Sequence, residues 1–71
     1  MTDIPENYVQ ISRVLDFNAI LVSQALAEAG IQFKEKIEKE GSSDQFEMHV
    51  FYVPFRMWEK AASVADEAVN L

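Results

Sequence analysis

Residues 26–33 read Leu26-Ala27-Glu28-Ala29-Gly30-Ile31-Gln32-Phe33, and the change of rhythm inside this stretch decides the fold. Before Gly30, apolar residues recur at three- and four-residue steps: Ala19, Leu21 with Val22, Ala25 with Leu26, and Ala29. After it, Ile31 and Phe33 alternate with Gln32 and Lys34. A period of 3.6 giving way to a period of 2 across one glycine marks a helix feeding a strand. Glycine suits that junction because the residue just past a helix end commonly turns left-handed. The class is therefore α+β.

Upstream, Val9, Ile11 and Leu15 fall on one side of an alternating segment from Tyr8, with Gln10 and Ser12 opposite and Arg13 as the exception on the apolar side. This predicts a first strand ending near Leu15. Asn18 is a good N-cap, which predicts a helix from Ala19. Residues 1–7, with Pro5 and Asn7 as punctuation, read as a flexible lead to a single domain over 8–71.

Downstream, residues 31–39 carry Lys34–Glu38, Glu35–Lys39 and Lys36–Glu40 pairs that would support a helix. A strand fits better, with Ile31, Phe33 and Ile37 on one side and Gln32, Lys34, Lys36 and Glu38 on the other, Glu35 being the mismatch. Glu40-Gly41-Ser42-Ser43-Asp44 is a polar turn of hairpin length. Gln45–Val53 then alternates Phe46, Met48, Val50 and Tyr52 against Glu47, His49, Phe51 and Val53. Apolar on both sides toward its end, this strand belongs in the middle of the sheet, and Pro54 ends it. From about Phe55 a second helix sets Trp58, Ala61, Ala62, Ala65, Ala68 and Val69 inward, with no capping residue at its start. The expected architecture is βαββα with sheet order 1-3-2 and both helices on one face, a ferredoxin-like unit lacking its fourth strand.

Composition narrows the chemistry. The 71-residue chain is 49% hydrophobic, has no cysteine and has one histidine. Disulfides, thiolate zinc sites and thiol nucleophiles are excluded, and so is a multi-histidine metal site within one chain. Twelve acidic against six basic side chains give a net charge of −6. That balance disfavours nucleic acid and anionic membranes as partners. The start, MTDIPENY, has no basic-then-apolar signature of a secretory leader, so a cytoplasmic location is expected. A domain this small often needs a staple, and self-association is the one left open.

An aliphatic opening strand, the run Ala19–Leu26, the junction Glu28-Ala29-Gly30-Ile31 and Val53-Pro54 leading to Ala61 together resemble a small bacterial family of signal-transducing proteins of unknown function. The resemblance spans about residues 8–69. It implies the ferredoxin-like βαββα fold and a regulatory or interaction role, and it carries no catalytic residues across. Phe55-Arg56-Met57-Trp58 departs from the family's more acidic helix start.

No cofactor or metal is expected. Gly30 and Gly41 stand alone, where a phosphate loop needs several glycines. His49 with Ser42 or Ser43 would be a poor triad, because the histidine is mid-strand and the serines lie in the turn. The acidic residues of 35–47 alternate with Lys34, Lys36 and Lys39 and read as a solvated face rather than a hard-cation site. The sheet face away from the helices is expected to present Gln10, Ser12, Lys34, Lys36, His49 and Phe51, with Phe51 and Val53 packing on a second subunit or partner. Phe55 and Met57 either extend that patch or close the core beneath Trp58, the core being the commoner outcome. The functional expectation is a non-enzymatic interaction or regulatory module acting as a homodimer. The alternative is a small-molecule sensor that binds its ligand between the sheet face and the 40–44 turn.

Overall fold

The computed structural model describes residues 4–39 and 47–70. Its elements are β1 (Tyr8–Leu15), α1 (Asp16–Glu28), β2 (Lys34–Lys39), β3 (Glu47–Pro54), a 3-10 turn (Phe55–Met57) and α2 (Trp58–Val69). The sheet has order β1-β3-β2 with both pairs antiparallel, the α+β arrangement expected from the sequence. The turn expected at residues 40–44 lies outside the described residues.

The helix-to-strand junction closes as the sequence requires. Gly30 has φ +73°, its N–H donates to the Ala27 carbonyl at 3.1 Å, and the Ile31 N–H donates to the Leu26 carbonyl at 3.0 Å. This pair of bonds is a Schellman ending, and the buried side chains of Leu26 and Ile31 supply its apolar contact. The other end of α1 differs from expectation. The helix starts at Asp16, directly from β1, with Leu15 as N-cap and no side-chain cap, so Asn18 lies inside the first turn. Asp16 there is favourable to the helix dipole. At the start of the domain the Tyr8 N–H donates to the Pro5 carbonyl, and the Phe55 N–H donates to the Asn7 carbonyl at 2.7 Å. Residues 5–7 are thereby held against the start of the 3-10 turn.

Both helices cover one face of the sheet. The core is built from Ala19, Val22 and Leu26 of α1, Ile31 just past the junction, Phe51 and Val53 of β3, and Ala61 and Ala65 of α2. Phe33 and Phe51 meet at 5.7 Å between ring centroids, tilted by 50°. Phe51 and Val53 are 0% exposed, which corrects their expected place on the uncovered face. Hiding each such side chain contributes about 1.5–3 kcal/mol. Trp58 and Phe55 do not close this core. Both are exposed, and only Met57 packs against it.

β1 is shifted in phase by a bulge. Gln10 faces Tyr52 and Ser12 faces Phe51, leaving Ile11 as the extra residue. Downstream of it the faces swap. Ser12 and Val14 turn toward the helices, while Arg13 and Leu15 move to the opposite side. The bulge therefore removes Arg13 as an exception, and it corrects the expected outward position of Ser12.

Candidate functional site

His49 sits on the helix side of β3, two residues from Phe51 along the strand, and so not on the uncovered face. Its Nδ1 is hydrogen-bonded to Glu35 Oε2 and its Nε2 to Asp16 Oδ1. Three elements converge here: Asp16 opens α1, Glu35 lies on β2 one pairing step from His49, and His49 belongs to β3. Glu35, the mismatch on the apolar side of its strand, is thus answered by the one histidine.

The hydrogen bonds dictate the protonation state. Ionised carboxylates only accept, so both ring nitrogens must donate, and His49 is an imidazolium when Glu35 and Asp16 are charged. Its pKa is raised above the ordinary 6.5, first by the hydrogen bond to Glu35. Partial burial pulls it back down, while the Asp16 bond and both negative charges add to the rise. In that state neither ring nitrogen is left to accept a proton. Ser23, the nearest hydroxyl lining the same hollow, donates to its own helix at the Ile20 carbonyl, 3.1 Å away. Ser42 and Ser43 lie outside the described residues. Among the described residues no group of three His, Cys, Asp or Glu side chains could hold a metal ion.

The cluster forms one wall of an open hollow of about 350 Å³ lined by Asp16, Ala19, Ile20, Ser23, Glu35 and His49. Ile20 in its lining, and Phe17 and Ile37 next to lining residues in the chain or the sheet, are large apolar side chains left exposed. Ile20 is 57% exposed, Phe17 on the neighbouring turn of α1 is 75% exposed, and Ile37, opposite His49 in the β2–β3 pairing, is 52% exposed. Ile37 stays exposed because α1 and α2 pack over β1 and β3 rather than over β2.

The uncovered sheet face holds three of the predicted residues, Gln10, Lys34 and Lys36, in a grid of three rows. Gln10, Tyr52 and Lys34 form the first, Arg13, Val50 and Lys36 the second, and Leu15, Met48 and Glu38 the third. This face is less bare than expected. Arg13 Nε and Glu38 Oε1 approach to 3.6 Å from the two outer strands, across β3, and Lys36 Nζ lies 3.9 Å from Glu38 Oε2. Beneath them Val50 is only 1% exposed, roofed by charged side chains whose stems are apolar.

The predicted set is therefore divided between sides. Gln10, Lys34 and Lys36 share the open face; Ser12 and His49 lie on the helix side; Phe51 and Val53 are core. Ser12 lines a second hollow, of about 460 Å³, between β1 and α2, with Ile11, Ala62, Ser63, Ala65, Asp66 and Val69. Asp16, Arg13 and Tyr52 were not singled out from sequence as site residues, although Arg13 and Glu35 each broke a strand pattern. No protein-family model, curated protein or solved structure matches this chain. No helix among the described residues is long and apolar enough to cross a membrane.

Proposed function

We propose that this chain is a non-catalytic interaction module that works as a homodimer, two copies joining through the free edge of β1. The observation that carries this reading is the contrast between the two sheet edges. Five of the six β2 residues are charged, whereas β1 has one charge, Arg13, in eight residues. Charged edges resist pairing with another chain, and uncharged edges invite it. Beside the β1 edge lies the hollow under α2, walled by Ile11, Ala62, Ala65 and Val69, which gives an added strand apolar surface to cover. Two β1 strands related by a two-fold axis would bring no acidic side chain of β1 against another, so the chain's net charge does not oppose the contact locally. A regulatory or interaction role agrees with the family resemblance of residues 8–69. Sedimentation equilibrium tests it: the expected result is twice the chain mass at micromolar concentration, shifting to monomer in a Ser12→Glu variant. A native chain that stays monomeric at high micromolar concentration refutes it.

One observation favours a second reading, a small-molecule sensor. The hollow at His49 falls within the size range of ligand pockets, roughly 300–1,000 Å³, and combines an apolar rim with a few polar groups. Chemical-shift mapping against a metabolite library would show coincident movement of Ile20, Ile37 and His49. No movement there ends this reading.

A further inference from the structure

The open sheet face concentrates positive charge on an acidic protein. Of the chain's six Lys and Arg residues, Arg13, Lys34 and Lys36 stand on this face, against the single carboxylate of Glu38 among the described residues. The chain as a whole carries −6, so the sign of this face is opposite to that of the molecule's net charge. We propose that it docks an extended, acidic polypeptide segment lying along β2 and β3. The argument is independent of the dimer through β1, because it uses the face of the sheet and not its edge.

Glu38 shows how the face holds a carboxylate. One oxygen is taken by Arg13 and the other by Lys36, so the two cations grip it from opposite sides of the central strand. Lys34, one row further on, is exposed and makes no ion pair among the described residues. Lys34 and Lys36 are alternate residues of one strand, about 6.6 Å apart along it, which is the spacing of alternate side chains in any extended peptide. A segment with acidic residues at every second position would match that repeat. Its backbone and intervening side chains would lie on Tyr52 and Met48, the half-buried residues of β3 beside the charged column of β2.

A polynucleotide fits less well. Sheet platforms that bind single strands set stacking aromatics in a basic groove; this face has Tyr52 and, one row further along β1, Tyr8, but only three cations among the described residues. The surrounding acidic surface repels a continuous phosphate chain more strongly than a short peptide with spaced carboxylates.

Fluorescence anisotropy with the full chain decides the matter, using a labelled dodecapeptide of alternating glutamate and threonine and an oligothymidylate of equal length. The peptide is expected to bind, with affinity falling as salt is raised. A Lys34→Glu, Lys36→Glu double variant should weaken binding about tenfold or more, since two favourable pairs become repulsive ones. Glu38→Gln should strengthen binding about threefold, because it removes the internal competitor for Lys36. Peptide binding that is absent, or unchanged in the double variant, overturns the proposal, as does tighter binding of the oligonucleotide. Sedimentation of the same samples separates this outcome from the dimer: a monomer that binds the peptide refutes the dimer alone.

Discussion

Replacing Glu35 with glutamine isolates the charge that His49 gains from β2. The new amide keeps an oxygen able to accept the Nδ1 proton, so the shape of the cluster survives while one negative charge is lost. The folded pKa of His49 lies above its ordinary 6.5, the hydrogen bond to Glu35 being the largest cause. A group raised in this way contributes its full stabilisation below 6.5 and loses it as pH rises through the folded value. A hydrogen bond to a charged partner contributes about 1.5–3 kcal/mol. The Glu35 side chain is 32% exposed, and solvent screening reduces this to about 1 kcal/mol. In a domain of this size that is a fall in Tm of about 4–8 °C. The fall is expected at about pH 5.5 and should nearly vanish at about pH 9, where the ring is neutral and the substitution instead relieves repulsion between Glu35 and Asp16. Thermal unfolding followed by circular dichroism reads the difference. The lone imidazole resonance of the chain reports His49 directly, and its midpoint should drop in the variant. Equal Tm losses at both pH values, or a native midpoint at or below 6.5, would refute the reasoning.

Three further outcomes test the fold. Phe51→Ala removes a side chain with no exposed surface and its contact with Phe33, and should cost about 3–5 kcal/mol, enough to unfold most of the chain at room temperature; a denaturation midpoint little changed would mean that the helices cover the other face. Gly30→Ala places a Cβ with nothing within 4 Å, so its cost is conformational alone, about 1 kcal/mol once the stiffer unfolded chain is counted; a loss of about 3 kcal/mol or more would reveal a clash. Ile37→Ser should leave stability within about 0.5 kcal/mol, because β2 has no helix over it; urea titration showing a larger loss would place Ile37 in a core.

The element order and strand order were legible because each rests on a local signal: the change of period at Gly30, the charges of β2 and the two-sided apolar character of β3. Which face of the sheet the helices cover was not legible. Met48, Val50 and Tyr52 are nearly as apolar as Phe51 and Val53, so alternation separates two faces without saying which is inside. The bulge at Ile11 compounded this, since counting by twos from Val9 places every later residue of β1 on the wrong side. The misfit of Glu35 held the missing information. A carboxylate on a half-buried strand face requires a partner, and the chain's one histidine lies on the same face of the neighbouring strand. The start of α1 misled for a different reason. Asn18 has the chemistry of a cap, yet the strand runs straight into the helix and leaves the first amides without a side-chain acceptor.

The extra residue in β1 also limits how this sequence can vary. Deleting Ile11 would leave Gln10 and Ser12 consecutive opposite Tyr52 and Phe51, restoring regular pairing with every later residue of β1 on its present face. One residue added to the pairing just after the bulge would instead turn Arg13 to the helix side and push Val14 into water. The segment therefore tolerates loss of its extra residue far more readily than gain of another.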